Sequence, residues 1–281
     1  MFSLPLGRRF QARVVSAMIL SVVIAPPALL AQAPKQAQKL KWDEMDLGPF
    51  HSGTYKVKDQ VTAKGIAIKV GTEDAPATVL FDPELMRISA AWIGGFVNIP
   101  RGRGGLEGQL TPGGALSFTT SYAPGWAKPD ELADDPRERH QGSLPASMAK
   151  WKGLYVNEGR TILHYTVGGT SVLELPGFEK RNDAAVFTRT FQIGKTEDTR
   201  SLLICDMPGA SGSAENNGAI LSEQGKVDAA QTSAIAIGGS NLPEGAKFRT
   251  TTNGRVVLDL PAISAPATFQ VTIWSGVMDL D

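Results

Sequence analysis

The sequence predicts an all-β fold, a large antiparallel β-sandwich with little helix. Roughly a dozen short runs alternate apolar and polar residues with a period of two, the pattern of half-buried strands. Thirty glycines and eighteen prolines among 281 residues favour short elements and turns over long helices. No repeat of fixed period is present, which argues against a propeller. These observations together favour two packed sheets.

The first 44 residues are predicted to lie outside this domain. Residues 1–31 carry arginines without acids, then the apolar run VVSAMILSVVI, then small residues where a signal peptidase cuts. A membrane anchor is the alternative, but the apolar run is shorter than the ~20 residues that span a bilayer. We therefore expect a signal peptide over 1–31, a linker over 32–44 and a β-sandwich domain over 45–281. The protein is then periplasmic or secreted, with no membrane segment after cleavage.

Charge and cysteine content exclude several classes of function. The chain has 28 basic and 28 acidic residues, so no basic excess attracts nucleic acid or an anionic membrane. Cys205 is the single cysteine, which rules out an internal disulfide and predicts a buried strand residue. With only three histidines and no zinc-type cysteine pair, we expect no metal site and no cofactor.

The stretch 81–96, FDPELMRISAAWIGGF, is the most informative local pattern. Asp82 followed by Pro83 is the sequence of a type I turn, because the Asp oxygen accepts a backbone N–H and Pro presets φ. We therefore predict a hairpin between 77–81 and 85–92. On its second strand the core-facing residues are expected to be Met86, Ile88, Ala90 and Trp92, with Arg87 pointing outward.

A long irregular loop around 123–152 is expected next, with a short helix over 145–151 capped by Ser143. Within it the segment DDPRERHQG (134–142) places Asp134, Asp135 and Glu138 beside His140. We expect a solvated charged loop there, with binding of a hard cation by the carboxylates as the alternative. A second exposed loop is expected over 207–219. The remaining strand-like runs are 54–59, 63–71, 115–121, 153–157, 161–167, 171–177, 185–194, 200–207, 232–239, 247–252, 255–261 and 267–276.

Few residues qualify as candidates for catalysis or binding. Glu174 lies among apolar neighbours, so it is either a hydrolase acid/base or the ion-pair partner of Arg189, the lone charge of an alternating strand. Asp82 is the second candidate acid, with the turn role as the alternative. Trp126, in a Pro/Gly-rich loop, is the best exposed tryptophan for stacking on a sugar, although it could equally pack onto the sandwich. Arg87 and Arg189 complete the candidate binding residues.

Several segments together carry a family resemblance. They are MDLGPF (45–50), KGIAIKVG (64–71), FDPELMRISAAWIGGF (81–96), APGWAKP (123–129), KWKGLYVNEGRTILHYTVGGTSVLELPG (150–177) and FTRTFQIG (187–194). This ordered string resembles a domain of unknown function in large exported proteins of planctomycete- and verrucomicrobia-type bacteria. There the domain precedes a sugar-dehydrogenase-type propeller, often with a c-type haem domain. The resemblance implies an exported β-rich module and brings no catalytic residues. This chain has no CxxCH, so haem chemistry is not expected in it.

The leading hypothesis is an exported, non-catalytic β-sandwich module for recognition or assembly in polysaccharide metabolism. Its expected partner is a polysaccharide or another exported protein domain. One alternative is a carbohydrate-active hydrolase that uses Glu174 or Asp82. A third is a truncated N-terminal part of a haem/propeller sugar dehydrogenase-like protein.

Overall fold

The computed structural model describes residues 45–102, 107–129, 131–132, 134–215, 217–223 and 231–279, except for the side chain of His140. The predicted signal peptide and linker lie outside these residues. All of these residues belong to one compact unit. No helix among the described residues is both long and apolar enough to cross a membrane.

The first sheet is antiparallel in all its pairings, in the order β1-β2-β3-β4-β7-β13-β18-β17, with β8 beside β13. Its strands are β1 (Phe50–Val57), β2 (Gln60–Lys69), β3 (Ala77–Asp82), β4 (Arg87–Ile93), β7 (Ala115–Thr119), β8 (Trp126–Ala127), β13 (Arg200–Asp206), β17 (Lys247–Thr250) and β18 (Arg255–Leu260). A separate pair joins β5 (Val97–Asn98) to β6 (Thr111–Pro112).

The second sheet is also antiparallel, in the order β14-β15-β16-β19-β12-β11-β10-β9. Its strands are β9 (Ala149–Asn157), β10 (Arg160–Val167), β11 (Thr170–Arg181), β12 (Ala184–Ile193), β14 (Ser211–Glu215), β15 (Gly218–Glu223), β16 (Gln231–Ser240) and β19 (Ala267–Asp279).

The two sheets enclose one main core, which confirms the predicted β-sandwich. Alternate residues of both sheets point inward and pack together, as the period of two requires. Cys205 is buried in this core, as predicted. Its larger members include Ile68, Phe81, Ile88, Phe118, Ile204 and Leu258 from the first sheet and Tyr165, Phe187, Phe191, Ile237, Phe269 and Ile273 from the second.

The β3–β4 hairpin forms as predicted, but its second strand departs from simple alternation. A bulge at Ser89 shifts the register, since Phe81 pairs with Ile88 whereas Leu80 pairs with Ala90. A bulge turns the following side chains to the opposite face. Trp92 is fully buried, yet it lies with Ala90 in a second, smaller core on the outer side of the first sheet. The prediction that Ala90 and Trp92 share a core with Ile88 is therefore wrong.

Two other local predictions are corrected. The helix predicted over 145–151 is a single turn, in which the N–H groups of Met148 and Ala149 both donate to the Pro145 carbonyl, and β9 starts at Ala149. The loop expected over 207–219 contains β14 and the start of β15. Small residues such as Ser211 and Gly212 weaken the strand signal there, while pairing with β15 and β16 supplies the order.

Proline determines where β10 and β11 separate. Their pairing runs from Val167–Thr170 to Leu163–Glu174 and ends there. In an antiparallel ladder every second residue points its N–H at the same neighbour, so the next hydrogen-bonded pair would join Thr161 and Pro176. Pro176 has no N–H to donate. Beyond Glu174 the far half of β11 pairs with β12 alone, and a gap opens towards the β9–β10 hairpin tip.

Candidate functional site

Glu174 and Arg189 form an ion pair inside the main core. Their strands are adjacent, and Arg189 Nε lies 2.7 Å from Glu174 Oε1, with the two side chains 2% and 0% exposed. Tyr165 Oη donates to Glu174 Oε2 at 2.7 Å, and Arg189 Nη1 donates to the Leu203 carbonyl at 3.3 Å. Arg189 also lies 5.0 Å from the centroid of the Phe191 ring. The inter-strand ion pair that the sequence offered as an alternative to catalysis is confirmed.

Trp126 belongs to the same buried network, not to an exposed loop. It is 2% exposed, and its indole N–H donates to Tyr165 Oη at 3.2 Å. Residues 126–127 form β8, which pairs with β13 and draws the indole into the core. One edge of Trp126 reaches a pocket of about 300 Å³ beside Val167 and Arg200. The prediction of an exposed stacking surface is wrong, because aromatic contacts with Tyr165 and Phe191 occupy the ring.

Asp82 serves the hairpin turn, as its position before Pro83 predicted. Its Oδ1 accepts the backbone N–H groups of Glu84 at 3.0 Å and Leu85 at 3.3 Å. Its other oxygen lies 3.4 Å from Arg87 Nε, and the Asp82 side chain is 4% exposed. A carboxylate so enclosed by turn amides and a guanidinium has a structural role in the fold.

Arg87 is buried, which corrects the prediction that it points outward. It is 0% exposed, and its Nη1 donates to the carbonyl oxygens of Thr120 and Ser121, the latter at 2.7 Å. Burial lowers the pKa of the guanidinium, and the Asp82 and Asp206 carboxylates oppose that shift. The two carbonyl groups that it binds lie more than thirty positions along the chain, so no local sequence pattern could have indicated them.

Sequence reasoning missed a further set of enclosed charges around Glu84. This carboxylate is paired with Lys64 at 2.9 Å and with Arg137 at 3.1 Å. Arg137 also contacts Asp135 at 2.8 Å, with side chains 6% and 0% exposed. The expected solvated charged loop is therefore wrong at Asp135 and Arg137, which anchor the irregular segment to the β3–β4 turn. The sequence did carry one indication of this arrangement, because Asp135 precedes Pro136 as Asp82 precedes Pro83, and both pairs are turn sequences.

A cleft opens where β10 and β11 separate. It has a volume of about 420 Å³ and lies between the β9–β10 hairpin tip, the end of β2 and the middle of β11. Thr161 is 1% exposed, lines this cleft, and its hydroxyl has no hydrogen-bond partner. The other lining residues include apolar Leu175 and Phe178, polar Thr188, Thr190 and Gln270, and charged Lys69, Glu158, Arg160 and Glu179. We call it the β11 cleft.

The β11 cleft continues onto the outer face of the second sheet. We use "outer face" for the residues of β11, β12, β19 and β16 that alternate with core residues. Thr190 and Gln270 belong to both the cleft and this face. Strand register groups on it Leu173, Leu175, Gly177, Val186, Thr188, Thr190, Gln192, Thr268, Gln270, Thr272, Trp274, Ala236, Gly238 and Ser240. None of these side chains is charged, although Gln192 and Thr268 are exposed. The charged members of this face are Glu179 and Arg181, which lie at the far end of β11 and form an ion pair with each other.

His164, at the β9 side of this face, contacts Ser171 and Tyr155. Its Nε2 lies 3.2 Å from Ser171 Oγ and its Nδ1 lies 3.4 Å from Tyr155 Oη. The Tyr155 ring stacks on the imidazole, with centroids 6.0 Å apart. Within the described part of the chain, no group of three or more His, Cys, Asp or Glu residues is placed to hold a metal ion.

Comparison with known families gives one match. Residues 79–174 match the model of a domain of unknown function, DUF6797. The matched segment runs from β3 to Glu174 and includes the β3–β4 hairpin, the irregular segment, β9 and β10. No curated protein matches the chain. The DUF6797 segment therefore contains Asp82, Arg87, Trp126 and Glu174, all of which the structure buries.

Proposed function

We propose that the chain is an exported, non-catalytic module that recognises polysaccharide. The observation that carries this proposal is the outer face with its adjoining β11 cleft. A solvent-facing sheet surface ordinarily carries charged side chains, whereas this one presents hydroxyl, amide and apolar groups everywhere except at the Glu179–Arg181 ion pair at the far end of β11. Sugars offer hydroxyl groups and apolar ring faces, so they complement such a surface. The proposed export rests on the signal-peptide pattern of residues 1–31.

The hydrolase alternative receives less support from the geometry. A glycosidase needs two carboxyl groups that flank a bound sugar. Glu174 and Asp82 are each nearly or fully inaccessible to solvent, and each is held by an arginine. The haem/propeller dehydrogenase alternative remains a prediction about sequence beyond this chain. Another exported domain remains the alternative partner.

A binding screen of the full chain tests the proposal. Affinity electrophoresis in gels that contain soluble polysaccharides should retard the chain in at least one of them. A reducing-sugar assay on every polysaccharide that binds should show no release of ends above a protein-free blank. Retardation by none of the polysaccharides would contradict recognition, and release of reducing ends would restore the hydrolase.

A further inference from the structure

We infer that a linear, uncharged glycan lies along β12 and β19, from the β11 cleft to Trp274. This inference rests on the proposed function and adds the site and the chemical class of the ligand. It begins from Trp274, which belongs to the outer face of β19 and is half-buried. Its cross-strand neighbours are Val186 and Ala236, both small beside an indole.

Gly276 determines how the Trp274 indole lies. It follows two positions later on the same face of β19, directly under the ring. A Cβ added to Gly276 would be 2.5 Å from Trp274 Cζ2, 3.0 Å from Cη2 and 3.2 Å from Cε2. Three bonded atoms of the indole therefore lie within about 3.2 Å of the added Cβ position, so the ring covers Gly276. The indole therefore lies against the sheet and leaves its other side towards solvent, the arrangement that stacks on a pyranose.

The cleft supplies the polar end of the proposed site. Gln270 and Trp274 are four residues apart on one face of β19, which is about 13 Å along a strand. Gln270 Nε2 donates to Thr190 Oγ1 at 3.0 Å, so the amide is oriented while its oxygen stays available as an acceptor. Below them the unpartnered Thr161 hydroxyl lines the cleft. A polar ligand group that entered the cleft would find hydrogen-bonding groups there.

The absence of charge between these two ends selects the class of glycan. Thr188, Thr190 and Thr272 separate Gln270 from Trp274 across β12 and β19, and none can neutralise a carboxylate or sulfate. An acidic polymer would lose hydration there without gaining an ion pair. The charged groups at the rim of the cleft are two cations, Lys69 and Arg160, and two carboxylates, Glu158 and Glu179, so the rim has no net positive charge that would attract an acidic polymer. The geometry points to neutral polysaccharides.

Affinity electrophoresis with Trp274→Ala and Gly276→Ala tests the site. The probes are hydroxyethyl cellulose, galactomannan and xylan as neutral polymers and polygalacturonate as an acidic one. Trp274→Ala should weaken binding to a neutral polymer by about tenfold, because the stacking surface is lost. Gly276→Ala keeps the tryptophan but displaces it, so it should weaken binding several-fold. Tyr155→Ala is the matched control, an exposed aromatic of the same sheet outside the proposed track.

The outcomes separate the site from the function. If wild type binds a neutral polymer and both β19 variants bind equally well, the inferred site is wrong and recognition stands. If wild type binds no polymer, the proposed function fails and the site with it. Binding of polygalacturonate alone would overturn the uncharged class. Unchanged urea-unfolding midpoints show that the variants are folded, and a second polar variant, Gln270→Ala, should also weaken binding if either β19 change disturbs the sheet.

Discussion

Glu174 and Arg189 illustrate how a buried charge pair is held in this sandwich. Each loses its hydration in the core, and the 2.7 Å contact, the Tyr165 hydroxyl and the Leu203 carbonyl replace it. One guanidinium nitrogen, Nη2, still has no partner. Such pairs often contribute little net stability compared with apolar residues, yet breaking one leaves an uncompensated charge. If the pair has a structural role, replacing Glu174 alone should therefore destabilise the protein more than replacing both Glu174 and Arg189 with apolar residues.

The first prediction follows from that asymmetry. Glu174→Gln should lower the free energy of unfolding by about 3–5 kcal/mol, because Arg189 stays charged and buried without a counter-ion. The double variant Glu174→Leu with Arg189→Met should cost less than the single change. Urea unfolding followed by tryptophan fluorescence measures both. The exposed pair of Glu179 and Arg181 gives the control, since Glu179→Gln should change stability by less than about 1 kcal/mol. Equal losses for Glu174→Gln and Glu179→Gln would contradict the argument.

At the scale of elements, Pro176 accounts for the β11 cleft. The residues beyond Glu174 have β12 on one side and a gap on the other. The second prediction is that Pro176→Ala restores the missing N–H and extends the β10–β11 ladder by the pair Thr161 with residue 176. Hydrogen exchange should then show a protected amide at position 176. The cleft should narrow, and affinity for any polysaccharide that binds wild type should fall.

The prediction fails if Pro176→Ala forms no new hydrogen bond with β10. The alanine amide would exchange at the rate of an exposed strand edge, and the cleft would owe its shape to the β9–β10 hairpin instead. Ser171→Ala is a suitable control, because it lies on the same strand within the paired half. It should alter neither the exchange pattern around residue 176 nor the affinity.

Alternation and turn chemistry predicted most of the strands, because both are local. Ile66 and Ile68 face the core as their spacing predicts, and Asp82 accepts turn amides as its neighbour Pro83 predicts. The failures have non-local causes. Register against β3 creates the bulge at Ser89, and pairing with β13 draws Trp126 inward.

The candidate site was harder to predict than the fold. Isolated motifs pointed to Glu174, Asp82 and Trp126, which the core and the turn enclose. The outer face is defined by register across β11, β12, β19 and β16, which are not all consecutive in the chain. The glycine that lets Trp274 lie flat is visible in the sequence only as "WSG". The role of Gly276 can be inferred only once β19 is known to be a central strand and its Trp274 face is known to point to solvent.

On the scale of the whole molecule, the two sheets differ in their outer faces. The first sheet packs Tyr55, Leu80 and Trp92 against Phe96, Val97 and Leu110, so part of its outer face is a second core. The second sheet has mainly small, hydroxyl and amide side chains on its outer face, with Trp274 half-buried among them and one ion pair, Glu179–Arg181, at the end of β11. Phe96, Val97 and Leu110 cover part of the first sheet's outer face, and no comparable apolar cover lies on the outer face of the second sheet among the described residues. Recognition is therefore expected on the second sheet.

The interior as a whole predicts how stability depends on pH. Burial raises the pKa of the Cys205 thiol above its ordinary value of 9.0, and the Asp206 carboxylate adds to the shift. Burial likewise raises the pKa of Tyr55 and Tyr165 above 10.0, and Glu174 adds to the shift at Tyr165. In the unfolded chain these groups ionise near their ordinary values. Above pH 9 the unfolded state therefore releases protons that the folded state retains, and unfolding becomes more favourable.

The third prediction is that the free energy of unfolding stays level from pH 7.5 to 8.5 and falls progressively from about pH 9 upward. Urea titrations at half-unit steps of pH measure it. Cys205→Ala removes the group that ionises first, so the variant should be less stable at pH 8 because of the lost packing. Its decline between pH 8.5 and 9.5 should nevertheless be shallower than that of wild type. Parallel pH profiles for the two proteins would mean that the Cys205 thiol ionises equally easily in both states, which is incompatible with its burial between the sheets.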